Sequence, residues 1–357
     1  MLTITLLSLT ILKTTIPMDF LDYIEQHRKQ VYEKICEYIP IKEPTEHYKI
    51  TRDYIDRQGS YRRPGLVMLT AQLYGADPED ALLPAAAQQL SEDWILIQDD
   101  IEDDSELRRG QPALHKKYGI VHAIDASDTG QIAMWRMLKD YILQVGTEKG
   151  NRLYEKFYDM MSYTVEGQYV ENTFIQDTKD LSKADESLYF RIVDSKTCYY
   201  TVYGPMQLGA IAAGQDEKTL DLLKKVGENA GIAFQITDDI LDMTADEKKF
   251  GKKNFGDLYE GKLTLIMLHS YKSATPEERR KIDAIYRKKR QDKTPEEIEY
   301  LKSIIERYDG IGYAKSVAEK YGAKAQELVD QYSDTIPRNE YTDIIISAMQ
   351  KLYKRDK

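Results

Sequence analysis

The chain has 357 residues, 42% hydrophobic and 31% charged, with a formal net charge of −10. That composition supplies a full core and excludes a low-complexity chain, and the acidic balance argues against a general nucleic-acid surface. Cys36 and Cys198 are too few and too far apart for a disulfide framework or a zinc site, as expected of a protein in the reducing cytoplasm.

Residues 2–12 are apolar but have no basic flank before them and no small-residue cleavage site after them. They are too short to span a bilayer, so stable membrane insertion is not expected. Residues 1–17 read as an apolar tail, either a misassigned or non-native start or a strand-like segment, ahead of one domain over 18–357. No Pro/Gly/Ser-rich linker divides that domain.

From Asp19 to Ile39, Phe20, Tyr23, Ile24, Val31, Ile35 and Tyr38 recur at helical spacing until Pro40 and Pro44 stop the helix. A short helix over 46–57 and a loop at Gly59–Pro64 lead into a helix ending near Gly75, with Gly75 placed to cap it and Pro78 to open the next. That next helix, 79–104, carries Asp99-Asp-Ile-Glu-Asp103 at the end of an apolar run. After a turn at Gly110-Gln-Pro112, helical patterns cover 121–144, 148–175, 184–213 and 216–244, the last carrying Asp238-Asp-Ile-Leu-Asp242. Residues 246–261 are polar and glycine-punctuated, as in a loop that closes over a site. Helices resume over 262–273, 276–290, 295–308, 313–332 and 338–353. Strand-like alternation is nearly absent, so the expected fold is all-α, one large helical bundle around a central cavity. The 27 tyrosines are assigned to the core and its boundary.

Within each cluster two aspartates stand four residues apart, where like charges on one helix face repel by roughly 0.2–0.5 kcal/mol. A single acidic run is usually a solvated face; two DDxxD copies, each ending an apolar run, point to carboxylate faces meeting across a cavity. Mg²⁺ keeps much of its hydration and is normally held by one or two carboxylates plus substrate phosphates. Arg108, Arg109, Lys252 and Lys262 follow the clusters in sequence, and Lys196 stands in Asp194-Ser-Lys-Thr197, as cations for a diphosphate. The apolar runs suit a hydrocarbon at the ligand's other end.

These motifs, with Arg108-Arg-Gly-Gln-Pro112, Gly167-Gln168, Lys196-Thr197, Phe234-Gln235, Gly251-Lys252 and Glu260-Gly-Lys-Leu-Thr264, make the chain similar to the trans-isoprenyl diphosphate synthases from about residue 19 onward. The resemblance implies an all-helical homodimer in which an allylic diphosphate ionises and isopentenyl diphosphate attacks the carbocation, with three Mg²⁺ ions per site once diphosphate is bound. It makes Asp99, Asp103 and Asp238 the principal metal ligands, supported by Asp100, Asp239 and Asp242. Arg108, Lys196, Lys252 and Lys262 would hold the allylic diphosphate, and Lys196, Thr197 and Gln235 would stabilise the cation. Arg63, Arg109 and Phe234 match the isopentenyl diphosphate site. Two departures fall there: Ser60 stands where the family usually has Lys, and Glu92 where it usually has His or Gln, with Arg62 a candidate to compensate.

Trp94, five residues before Asp99 and about 7.5 Å along the helix, resembles the residue on which geranylgeranyl synthases of archaeal type close the product channel. A C20 product is expected, with C15 and C25 as neighbours. Two alternatives stay open, a class I terpene cyclase or unusual prenyl-coupling enzyme and a non-catalytic partner subunit. The aspartates of the second motif oppose the first alternative, and the completeness of both motifs opposes the second.

Overall fold

The computed structural model describes residues 18–244 and 255–353, with side chains to residue 350. The all-α expectation holds. In chain order the helices are α1 (Phe20–Tyr38), α2 (Thr45–Asp56), α3 (Arg62–Leu73) and α4 (Pro78–Glu102). A hairpin of β1 (Leu107–Arg108) and β2 (Gln111–Pro112) follows, then α5 (Leu114–Tyr118), α6 (Ile120–Val145) and α7 (Thr147–Asn172). Next come α8 (Glu186–Val193), α9 (Gly204–Ala212) and α10 (Glu217–Thr244). The C-terminal part holds α11 (Gly256–Glu260), α12 (Leu265–Ser273), α13 (Pro276–Tyr286), α14 (Pro295–Arg307), α15 (Gly310–Gln331) and α16 (Glu340–Tyr353).

Local chemistry sets the boundaries. Gly75, at φ +82°, follows α3, and the Asp77 side chain accepts from the Glu79 N–H where Pro78 opens α4. Helices α13 and α14 each begin with a reciprocal capping box, Thr275 with Glu278 and Thr294 with Glu297, ahead of a first-turn proline.

The structure differs from expectation in four places. The helix expected over 184–213 is broken into α8, a π-helical stretch (Asp194–Tyr203) and α9. Pro205 has no N–H for the carbonyl four residues back and its ring crowds that turn, so the preceding turn widens. The Gly204 N–H bonds the carbonyl of Tyr199, five residues back. A Cβ at Gly204 would lie 2.5 Å from that same oxygen, so the close turn requires glycine. Second, the α7 pattern runs on through a π turn, Thr173–Thr178. Third, the turn at Gly110-Gln-Pro112 is part of a two-residue hairpin loop, Arg109 and Gly110, at φ +53° and +75°. Fourth, the end of the loop expected over 246–261 is the short helix α11, and residues 245–254 lie outside the described residues.

Buried apolar residues form two large clusters. One joins α1, α3, α4, α6, α7 and α9 with the first half of α10, and the other joins α8 and the second half of α10 with α12 to α15. Helix α10 belongs to both clusters, and it carries its aspartates into the space between them.

Candidate active site

Between the clusters lies a cavity of about 360 Å³. Helix α4 supplies Asp99 and Asp103 to its wall, and α10 supplies Asp238, Asp239 and Asp242. The four-residue spacing places Asp99 with Asp103, and Asp238 with Asp242, on single helix faces. Ile95, Leu96, Ile192 and Val193 give the same cavity an apolar stretch.

The carboxylates are held where their charge is costly. Burial raises Asp99 above the usual carboxylate range although Lys196, Arg108 and Lys262 pull it down. Burial, then repulsion from Asp99, pushes Asp103 up to about 7. Burial also raises Asp242, against the backbone N–H of Asp257, which donates to Asp242 Oδ2 at 3.1 Å. A divalent cation would relieve all three groups. Among the described residues, no three His, Cys, Asp or Glu side chains are gathered into a ready-made metal cage. The set therefore fits a hard cation that completes its coordination with phosphate oxygens and water, the usual habit of Mg²⁺.

Asp100 corrects the expected ligand set in part: it supports the ligands through hydrogen bonds, as the resemblance implies, but does not stand on the cavity wall. It is fully buried and is not part of the cavity wall. It accepts from Tyr54 Oη at 2.6 Å and from Arg108, whose Nη2 lies 2.5 Å from Oδ1. Successive helical residues are turned about 100° from each other, and in α4 that turn carries Asp100 behind Asp99, toward Tyr54 and Arg108. Its work is to fix Arg108, whose Nη2 also reaches Asp99 Oδ2 at 3.4 Å. Asp239 lines the cavity but is already engaged by Tyr189 Oη at 2.9 Å and Gln235 Nε2 at 2.8 Å. Burial pushes it up to about 7 in spite of those bonds. Thr197 Oγ1 donates to Gln235 Oε1 at 2.6 Å, so Thr197 acts on the site through Gln235 and does not itself line the wall.

The cations expected around a diphosphate divide as follows. Lys196 and Lys262 line the cavity, and Arg108 stands beside Asp99. Lys196 pairs with Glu171, and Lys262 lies 3.0 Å from Glu260 and 3.8 Å from Asp257. Lys252 lies outside the described residues. Arg63 lines the cavity, whereas Arg62, Arg109 and Phe234 are not among its lining residues. The left-handed backbone of Arg109 is tied down by bonds from its guanidinium to the Tyr54 carbonyl at 2.5 Å and to Asp93 Oδ1 at 2.9 Å.

Trp94 is a second correction. Its indole is turned away from the cavity and packs on α6, with Nε1 3.5 Å from Met134 Sδ and Cβ against Gly130. Ile95 and Leu96 take the wall in its place, because the face that presents Asp99 one turn later is theirs.

Glu171, Asp257 and Glu260 also belong to the site, although none of them is among the residues expected there. Asp257 and Glu260 stand five and two residues before Lys262, a local signal that was available. Glu171 and Lys196 are 25 residues apart on different elements, and no local pattern pairs them. Gly167 is what lets those elements meet, since a Cβ there would lie 1.9 Å from Ser195 Oγ and 3.4 Å from Lys196 Cγ. Gly167→Ala should therefore separate α7 from the Lys196 turn, costing roughly 1–3 kcal/mol of stability and most of the activity. Thermal unfolding and turnover check this together; a variant matching the parent in both would refute the close contact.

The polyprenyl synthetase family model matches residues 44–305. A geranylgeranyl diphosphate synthase of Methanosarcina mazei is 32% identical over 321 residues, covering 89% of this chain and 93% of that protein. A geranylfarnesyl diphosphate synthase of Aeropyrum pernix is 33% identical, covering 76% of this chain and 83% of its own length. The crystal structure of geranylgeranyl pyrophosphate synthetase from Pyrococcus horikoshii superposes with a TM-score of 0.84 at 28% identity, covering 94% of this chain and 98% of that one. With two aspartate pairs and flanking lysines around one cavity, and with these relatives spanning nearly its whole length, the chain belongs to the polyprenyl synthetase family of trans-prenyltransferases.

Proposed function

We propose that the protein is a Mg²⁺-dependent synthase that joins an allylic diphosphate to isopentenyl diphosphate and releases C20 geranylgeranyl diphosphate. The observation that carries this reading is the shared cavity, in which Asp99 and Asp103 of α4 and Asp238 and Asp242 of α10 stand with Lys196 and Lys262 at one end of an apolar wall. Asp99, Asp103 and Asp238 would hold the metal, which when bound supplies positive charge to the leaving diphosphate. Arg108, Lys196 and Lys262 bind the allylic diphosphate and take up charge as its C–O bond breaks. The double bond of isopentenyl diphosphate then attacks the allylic cation to form the new C–C bond. The proton lost from the adduct passes to the departing diphosphate. Gln235, positioned by Thr197, offers its amide dipole near the cation, while the buried wall of Ile95, Leu96 and Ile192 keeps water from quenching it.

The C20 length follows the geranylgeranyl synthases among the relatives and rests on Ile95 as the residue at the side of the growing chain. Ile95→Phe should shorten the main product by one C5 unit, read by chromatography of the dephosphorylated products. An unchanged distribution would remove Ile95 from the channel.

A homodimer is part of the same proposal. Val121, Ile132 and Leu143 of α6 are 69%, 70% and 73% exposed, and Val165 and Tyr169, one turn apart on the following helix α7, are exposed as well. Large apolar side chains exposed along two helices are what a second subunit would cover. No helix among the described residues is long and apolar enough to cross a membrane.

A further inference from the structure

The cations of the cavity wall do different things. Lys196 and Lys262 act on Asp99 and Asp103. Arg63, from the first turn of α3, lines the cavity beside Glu92, whose Oε2 lies 2.9 Å from Arg63 Nη1. The guanidinium is held from behind, since Nε and Nη2 donate to Thr201 Oγ1 at 3.2 and 2.9 Å and Cζ sits 4.6 Å from the centre of the Tyr200 ring. Next to it Arg109 meets Asp93 at 2.9 Å and Glu92 Oε1 at 3.9 Å. Two guanidiniums thus face two carboxylates, and the cluster carries no formal net charge.

Glu92 is 7% exposed, and its buried Oε2 accepts no well-aligned hydrogen bond even though Arg63 is close. Charge carries most of the pair, because the short contact to the Arg63 guanidinium is poorly aligned as a hydrogen bond. A buried carboxylate oxygen left in that condition on a cavity wall calls for a functional explanation. An acceptor bearing a diphosphate would make aligned, bidentate contacts with the same guanidinium.

Resting on the two-diphosphate reaction proposed above, we propose that Glu92 is an internal counter-ion occupying the cationic cradle for the second substrate, and that it sets the affinity for that substrate. In the protein without acceptor it neutralises Arg63 and keeps the guanidinium in place. An incoming diphosphate has to replace it, so acceptor binding exchanges one anion for another. At the aspartate end Lys196 and Lys262 have carboxylate partners of their own, Glu171 and Glu260, so Glu92 acts on the second substrate and not on the allylic diphosphate.

The test is titration calorimetry of the full chain with isopentenyl diphosphate, together with steady-state KM values for isopentenyl and geranyl diphosphate. Glu92→Gln removes the charge at nearly constant volume and should tighten isopentenyl diphosphate binding by about tenfold, with the KM for geranyl diphosphate unchanged. Glu92→Ser should show the same gain, and Glu92→Asp, which keeps the charge, should not. Unchanged or weaker acceptor binding in folded Glu92→Gln and Glu92→Ser would overturn the proposal and leave Glu92 a brace for Arg63. So would a failure of isopentenyl diphosphate to bind any of the proteins. Absence of elongated product from the parent would instead defeat the proposed reaction, while the calorimetric comparison would still decide the role of Glu92.

Discussion

Asp238→Ala and Asp99→Ala are each expected to reduce turnover on the order of 10²-fold or more, with the helical circular dichroism of the parent retained. The size follows from what is lost, a charge aimed at the group on which negative charge develops; removal of one such interaction commonly costs about 10²–10³ in rate. Asp238 is exposed where it lines the cavity, so the helical fold should tolerate its loss. For Asp99, Arg108 keeps its closer partner Asp100 at 2.5 Å, so its side chain remains anchored. EDTA should abolish activity in the parent, and added Mg²⁺ should restore it. The metal reading fails if Asp238→Ala retains most of its turnover or if the parent works in excess EDTA.

Trp94→Ala should destabilise the protein by roughly 3–5 kcal/mol and leave product length unchanged. The indole is 4% exposed and fills the contact between α4 and α6 against Met134 and Gly130. Its removal leaves a cavity between two helices that are held together along their length, and neither can close the gap without disturbing the other. Denaturant titration measures the stability, and chromatography of dephosphorylated products measures the length. A shift to longer chains in a folded variant would return Trp94 to the product channel and displace Ile95 from that role. The Ile95→Phe result then separates the two positions, because only a residue on the channel wall can shorten the chain.

The sequence alone determined the helical class, most of the helix boundaries and the two aspartate faces. All of these depend on short-range rules: a period of 3.6, a proline or glycine at an end, and a spacing of four that puts two side chains on one face. That is why Asp99 with Asp103, and Asp238 with Asp242, were legible as pairs. The direction of Asp100 was also local, since it follows from one residue's rotation along α4, yet its partners Tyr54 and Arg108 come from elsewhere.

Tertiary structure decided the remainder. Trp94 and Ile95 are neighbours of similar apolar character, and only the position of α6 determines which is core and which faces the cavity. The pairing of Lys196 with Glu171 needs the widened turn ahead of Pro205 and the bare backbone of Gly167. Glu92 could be recognised as unusual from its place in the chain, but its contact with Arg63 spans two helices and depends on their crossing. Charge and periodicity are properties of a segment, whereas a counter-ion, a channel wall and a buried pair belong to surfaces that exist only after segments far apart in the chain have packed.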